Sequence, residues 1–312
     1  MHQGSFNGSQ HSVDPNPRGF STRELAVLAQ QMVATRLLEG LLPLFDSHRI
    51  KAILLKGAAF WTSIYSPTER VVSDIDVLIS PSDKSLSEKC ILGLGFERVL
   101  IPGRPATERE LYESCYVDSK GSFLPLELHT SLAHPVRYHF DTGRLFERAE
   151  PCQLGTARAW RLCPEDSLLH LAIHRTIHNF GFNDDLRNIE DAHRIIDKRC
   201  INWSDLLGRA QQWGCKNALW VLLDSAVRKH GAGVPARVLA DLEMDSTRRR
   251  LFSRVMKLEQ GAWVFRWQKM TSWKRRLLLF PIVLDRPPQH CASAFCFAGV
   301  RMRDWWESTA RR

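Results

Sequence analysis

The spacing of apolar and polar residues predicts an α/β arrangement for the first half of the chain. A helix is predicted from the capping box Ser21-Thr22-Arg23-Glu24 to about Ser47. Two further helices are predicted at 58–65 and from Ser80-Pro81 to about Gly95. Short apolar runs predict the strands between them, at 51–55, 72–79, 96–101, 111–117 and 123–129.

The pattern changes at Pro164, after which apolar residues recur every three or four positions. This periodicity predicts helices at 164–180, 186–198, 203–213 and 215–230, followed by a C-terminal region from about 235. We therefore predict an α+β fold, with a small mixed-sheet core followed by an all-α helical domain. The predicted divisions are a disordered lead-in at 1–20, the core with its N-terminal helix at 21–150, and the helical domain at 151–312.

Composition and charge narrow the class of partner. The net charge of +9 on 312 residues favours anionic partners such as nucleotides, nucleic acid or a membrane surface, without selecting one of them. The eight cysteines include no CxxC pair, and the nearby Cys291 and Cys296 beside His290 are a weak zinc signal. No signal peptide is visible, and the longest apolar run, 277–284, is shorter than the roughly 20 residues of a membrane span. We expect free thiols in a reducing cytoplasm and no transmembrane segment.

Two aspartates one residue apart are the first candidates for chemistry. Asp74 and Asp76 lie in the strand predicted at 72–79. Side chains at i and i+2 of a strand point to the same face, about 6.6 Å apart. Converging carboxylates repel each other and are costly to desolvate without a cation, and Mg²⁺ prefers such oxygen ligands. The pair alone leaves two interpretations open, a metal site or a solvated edge strand.

Further motifs precede and follow the aspartates in an order that resembles a known family. The motifs are Leu55-Lys56-Gly57, Tyr65, Arg70, Ser73-Asp74-Ile75-Asp76 and Glu127-Leu128-His129, and then Pro164-Glu165-Asp166, His170-Leu171, His174, His178, Leu186-Arg187 and Asp191. Together they resemble the DNA polymerase β-like nucleotidyltransferase superfamily, and more narrowly a broad bacterial family of uncharacterised nucleotidyltransferases. The resemblance covers about residues 20–200 and implies that the mixed-sheet core is a nucleotidyltransferase core.

The resemblance also implies roles for individual residues. Asp74, Asp76 and Glu127 are implied to be the catalytic acids that hold two Mg²⁺ ions. The implied nucleotide-binding residues are Lys56, Gly57, Ala58, Arg70 and Ser73. A glycine at a helix N-terminus lets backbone N–H groups come close to a triphosphate, and a lysine or arginine adds positive charge. The chain differs from many superfamily members in having Gly57-Ala58 where they have Gly-Ser, and Glu127 where Asp is common.

Other polar residues are weaker candidates. His170, His174 and His178 recur every four residues and form one stripe of a helix. Because there is no HExxH motif and no further ligand is evident, packing is favoured over zinc binding. His129, His174, Arg187 and Asp191 are candidates for contact with the substrate or for support of the metal ligands.

A basic, tryptophan-rich stretch lies between Trp263 and Leu277. Its composition fits stacking on nucleic acid or binding to an anionic membrane. A helix that packs its tryptophans against the helical domain and leaves its basic residues in solvent is the favoured interpretation.

The predicted function is the Mg²⁺-dependent transfer of a nucleotidyl group, AMP from ATP, onto a hydroxyl or phosphate of a small molecule or peptide, as in natural-product biosynthesis. Phosphoryl transfer on the same fold is an alternative, as is a non-catalytic nucleotide- or RNA-binding regulatory protein. Three converging acids argue against the non-catalytic alternative, since they destabilise a site that holds no cation.

Overall fold

The computed structural model describes residues 19–99, 112–121, 123–133, 137–177, 182–260 and 282–286. The helices are α1 Thr22–Ser47, α2 Lys56–Trp61, α3 Lys84–Gly93, α4 Thr142–Arg148, α5 Pro164–Ile177, α6 Phe182–Lys198, α7 Trp203–Trp213, α8 Lys216–His230, α9 Ala236–Asp241 and α10 Ser246–Gln260. The strands are β1 Ile53–Leu54, β2 Ile75–Leu78, β3 Phe96–Val99, β4 Glu113–Asp118, β5 Leu126–His129, β6 Glu150–Leu154 and β7 Ala157–Arg161.

The described strands form one mixed sheet of seven strands in the order β3-β4-β5-β2-β1-β7-β6. Strand β2 pairs in parallel with β5 and antiparallel with β1, and β1 pairs in parallel with β7. The β2–β5 register places Asp76 beside Glu127, and the β4–β5 register places Glu113 opposite His129. Three neighbouring strands therefore bring acidic residues to one region of the sheet.

The mixed sheet followed by helices confirms the predicted fold class. Helices α5 to α8 begin and end close to the predicted positions, and each predicted strand is present, with β1, β2 and β5 shorter than their apolar runs. The hairpin of β6 and β7 was not predicted, and it continues the sheet to Arg161. This corrects the all-helical interpretation of residues 151–161, while the division into domains stays a prediction. The tight turn of the hairpin uses Gly155, whose φ of +58° suits glycine.

Helix α1 begins with the predicted capping box, in which the Ser21 side chain accepts a hydrogen bond from the backbone N–H of Glu24. By length and composition alone α1 is long and apolar enough to cross a membrane. Its inward residues, however, belong to the hydrophobic core, and they include Leu38, Leu41 and Phe45. The helix as a whole contacts β6, β7 and α3. A buried core helix meets the same criterion, so the length of α1 is weak evidence for a membrane span.

Several predictions fall outside the described residues. These are most of the lead-in at 1–20, His178, the basic stretch at 263–277, and Cys291 with Cys296. The cysteines within the described residues are free thiols.

Candidate active site

A cleft lies where β2, β4 and β5 face helices α5 and α6. Its lining includes most of the predicted site residues: Lys56, Gly57, Arg70, Ser73, Asp74, Asp76, Glu127, His129, His174 and Arg187. The sheet supplies the acidic wall, and the two helices supply the opposite wall. We refer to these as the sheet wall and the helical wall.

Asp76 is the centre of the sheet wall. It is 3% exposed, and its Oδ1 accepts a hydrogen bond from Lys56 Nζ at 3.0 Å and lies 2.8 Å from His129 Nε2. Glu127 Oε2 lies 3.7 Å from the same imidazole nitrogen. Asp76, Glu127 and His129 each offer one ligand atom, and these atoms lie within 4.8 Å of one another, close enough for one metal ion. The sequence had favoured a supporting role for His129, and the structure brings it into the group itself.

Mutual charge shifts the pKa values in this cluster. Burial by itself would raise the pKa of Asp76, but the charge of Lys56 and the hydrogen bond with His129 hold it well below its ordinary value. Burial, together with the charges of Asp76 and Glu113, raises the pKa of Glu127 to about 7. Part of the rise in the pKa of Glu127 thus comes from the charge of its neighbour Asp76, the repulsion expected between carboxylates that share a site. Such a site favours a bound cation.

Asp74 lies just before β2, lines the cleft, and accepts a hydrogen bond from Ser73 Oγ at 3.1 Å. Burial and the charge of Asp76 raise the pKa of Asp74. Asp74 therefore adds to the same negative field, although it lies outside the compact group formed by Asp76, Glu127 and His129.

A sharp turn between β1 and α2 directs Lys56 into the cleft. Lys56 has a φ of +45°, a left-handed conformation that is uncommon for a residue with a side chain. Burial by itself would lower the pKa of Lys56, but the charge of Asp76 raises it above its ordinary value, so the side chain stays an ammonium. Gly57 follows, and a Cβ at this position would lie 2.5 Å from Val72 Cγ2. The glycine is thus required by packing against Val72, a reason that the sequence interpretation did not include.

Arg70 and Asp191, both predicted at the site, bind each other. Asp191 is fully buried on α6; Arg70 Nε donates to its Oδ1 at 3.0 Å and Arg70 Nη2 to its Oδ2 at 2.9 Å. The Tyr65 hydroxyl also donates to Asp191 Oδ1, at 2.6 Å. We call these three residues the linker clamp, because they join α6 to the segment between α2 and β2. Asp191 itself does not line the cleft.

The helical wall carries neutral and basic groups. His170 is buried, and burial together with the charge of Lys56 lowers its pKa to about 3. His174 lies beside it, with ring centroids 6.0 Å apart, and its Nδ1 is 3.4 Å from Asn188 Nδ2. Arg187, in the N-terminal half of α6, has an exposed side chain.

A second predicted residue, besides Asp191, lies outside the lining of the cleft, and the structure adds others. Ala58 is 1% exposed in the hydrophobic core and does not line the cleft. Glu113, which the sequence interpretation missed, is a buried acid in the cleft beside Tyr112. Only the pairing of β4 with β5 brings Glu113 opposite His129, and a strand partner is not readable from a single sequence.

Solved structures give distant similarities. ANT(2″)-Ia in complex with adenylyl-2″-tobramycin is 12% identical, with a TM-score of 0.38 over 52% of this chain and 87% of that one. An antigenic nucleotidyltransferase-like protein from Paracoccidioides brasiliensis is 17% identical, with a TM-score of 0.41 over 70% and 92%. The lincosamide antibiotic adenylyltransferase LnuA, lincomycin-bound, is 12% identical, with a TM-score of 0.35 over 52% and 96%. At these scores none of the three supports a conclusion about this chain.

No curated protein matches the chain. A protein-family model described as uncharacterised nucleotidyltransferase matches residues 7–228, well over half of the 312. The match confirms the family that the motifs resemble, and it does not test the role of any single residue. The chain belongs to this family of uncharacterised nucleotidyltransferases.

Proposed function

We propose that the protein transfers a nucleotidyl group, AMP from ATP, to a hydroxyl or phosphate of a small molecule or peptide, and that the transfer depends on Mg²⁺. The observation that carries the proposal is the convergence of Asp74, Asp76 and Glu127 with Lys56 in one cleft of a nucleotidyltransferase-family chain. A reducing cytoplasm is the proposed compartment, in keeping with the free thiols of the described cysteines.

The donor atoms of the sheet wall fit divalent metal ions. Both close contacts of Asp76, from Lys56 and His129, involve Oδ1, which leaves Oδ2 for an ion. Asp74, Asp76 and Glu127 offer the carboxylate oxygens that Mg²⁺ prefers, and we propose that they hold two ions. His129 Nε2 would orient Asp76 or serve as a further ligand. When bound, such ions supply positive charge to the phosphates and to the attacking oxygen.

The remaining chemistry is assigned to this chain's own residues. The acceptor oxygen forms a bond to the α-phosphorus, the bond from that phosphorus to the bridging oxygen breaks, and pyrophosphate leaves. Glu127 is half-buried on the sheet wall, where its carboxylate can accept the proton of the acceptor hydroxyl. The Lys56 ammonium lines the same cleft, and its positive charge stabilises the negative charge of the phosphates.

The test uses ATP labelled at the α- or the γ-phosphate, with Mg²⁺ and a panel of acceptors. The expected result is transfer of the α label and release of pyrophosphate. Asp76→Asn should lower this activity at least 100-fold while circular dichroism stays unchanged, because removal of a preorganised charge from such a site costs about that much. Asp197→Asn, an exposed position on α6, is the matched control and should keep full activity.

The other outcomes identify the alternatives. Transfer of the γ label instead of the α label would show a phosphotransferase. Transfer of neither label to any acceptor, together with binding of ATP or RNA, would favour a non-catalytic binding protein. Full activity of Asp76→Asn would refute the metal assignment.

A further inference from the structure

Three cationic side chains among the described residues line the cleft, and two of them are already bound by the protein. Lys56 Nζ donates to Asp76 Oδ1 at 3.0 Å. Arg70 donates through Nε and Nη2 to Asp191, and through Nη1 to the backbone oxygen of Val71 at 2.5 Å. A guanidinium held in a bidentate pair with a fully buried carboxylate is not available to a ligand without leaving that carboxylate unpaired. Arg70 is thus a poor candidate for the phosphate contact that the sequence suggested.

Arg187 is the remaining cation of the cleft. It makes no hydrogen bond or ion pair with the side chains that the structure describes, and it is exposed at the cleft. It lies one helical turn before Asp191 on α6, and residues four apart share a helix face. The face of α6 whose Asp191 binds Arg70 therefore also carries Arg187 toward the cleft.

Resting on the proposed function, we propose that Arg187 is the guanidinium that binds the triphosphate of the nucleotide, and that the linker clamp positions it. The sheet wall gathers acids, which suit cations, whereas the helical wall carries Arg187 with the polar groups of His174 and Asn188. A polyphosphate between the two walls would meet ions on one side and a planar, always-charged donor on the other. The linker clamp fixes the distance between the walls, since Tyr65 and Arg70 belong to the segment between α2 and β2, whereas Asp191 belongs to α6.

The first experiment measures binding, which does not depend on turnover. Isothermal titration calorimetry at fixed Mg²⁺ compares ATP, inorganic tripolyphosphate and adenosine. Arg187→Ala should raise the Kd of ATP and of tripolyphosphate about tenfold, as expected for one charge-assisted contact, and leave any adenosine binding unchanged. Arg187→Lys, which keeps the charge, should recover part of the loss. Arg237→Ala, which removes an exposed arginine far along the chain, is the matched control.

Unchanged Kd values in Arg187→Ala, or a wild-type protein that binds neither ATP nor tripolyphosphate, would overturn the inference. If the wild type binds ATP through Arg187 but transfers no nucleotide, the proposed function fails while this inference stands. If nucleotide is transferred, Arg187→Ala should raise the KM of ATP about tenfold with little change in kcat. Turnover by Arg187→Ala with an unchanged KM for ATP would support the proposed function and reject the role of Arg187.

The second experiment tests the clamp. Tyr65→Phe removes one of the hydrogen bonds to Asp191 and keeps the ring, so the variant is expected to fold. It should weaken ATP binding two- to fivefold in the wild type and have no further effect in the Arg187→Ala background, because it acts through Arg187. Equal effects in both backgrounds would mean that the clamp does not position Arg187.

Discussion

His170 is a buried imidazole on the helical wall, surrounded by charges that come from the sheet wall. Lys56 on α2, Asp76 on β2 and His129 on β5 all act on it, and His174 lies next to it on α5. Burial is the largest influence and lowers its pKa to about 3, from an ordinary value of 6.5. The imidazole is therefore neutral in the folded protein over the whole physiological range.

This neutral histidine predicts a pH-dependent loss of stability. Because the pKa in the folded state is below that in the unfolded state, the unfolded chain binds more protons below pH 6.5, and stability falls as the pH falls from 6.5 toward 3. Between about pH 7 and pH 5 the wild type should lose about 2 kcal/mol more of its unfolding free energy than His170→Gln does. Urea denaturation of both proteins at a series of pH values measures the difference.

The control for this measurement is His48→Gln, which replaces an exposed histidine at the end of α1. Its stability should follow the wild-type pH dependence. Parallel curves for the wild type and His170→Gln would show that His170 is not a buried neutral group in the folded protein.

At the scale of elements, the site depends on how closely α2 packs against the segment that leads into β2. Gly57 on α2 faces Val72, which is 4% exposed, and leaves no space for a Cβ. This contact holds Lys56 and Asp74, at the ends of the two segments, on the same cleft. The close approach of the two elements is therefore part of the construction of the site.

Gly57→Ala should destabilise the protein by about 1–3 kcal/mol, because overpacking a closed contact forces side chains or backbone to move. Val72→Ala removes the methyl groups that oppose the new Cβ. The destabilisation of the double variant should therefore be smaller than the sum of the two single destabilisations by at least about 1 kcal/mol. Chemical denaturation of the four proteins measures this coupling. Gly208→Ala, inside α7 with open space around the added Cβ, is the control and should stabilise by about 0.5–1 kcal/mol.

The sequence predicted those elements whose patterns are local. The capping box at Ser21, the helical periodicity after Pro164 and the aspartate-bearing strand are all encoded in adjacent residues, and the structure contains each of them. The β6–β7 hairpin escaped prediction although exposure alternates along its strands, because these short strands carry few large apolar residues and their place beside β1 is a long-range pairing. The Arg70–Asp191 pair escaped for the same reason, since a partner 121 positions away leaves no local pattern.

The whole molecule forms its cleft by joining two parts that are separate in the sequence. The sheet wall comes from residues before 130, and the helical wall from residues after 164. The sheet wall gathers the carboxylates of Asp74, Asp76 and Glu127 around Lys56 and His129, so that these three acids outnumber the two groups that can balance their charge. In the absence of an ion, repulsion among these acids lowers the free energy of unfolding. A bound cation should offset this loss of stability.

Divalent ions should therefore stabilise the whole fold, not only support turnover. Mg²⁺ or Mn²⁺ at about 100 times its Kd should add about 2.7 kcal/mol to the unfolding free energy and raise the Tm, because the ion binds the folded cleft and not the dispersed ligands of the unfolded chain. Differential scanning calorimetry with a titration of each ion measures the change. Asp76→Asn should lose most of the shift, and Asp197→Asn should keep it. An equal Tm shift in Asp76→Asn would mean that the ions bind elsewhere. The acidic cluster would then be neutralised by another positive charge, and Lys56, which already contacts Asp76, is the group placed to supply it.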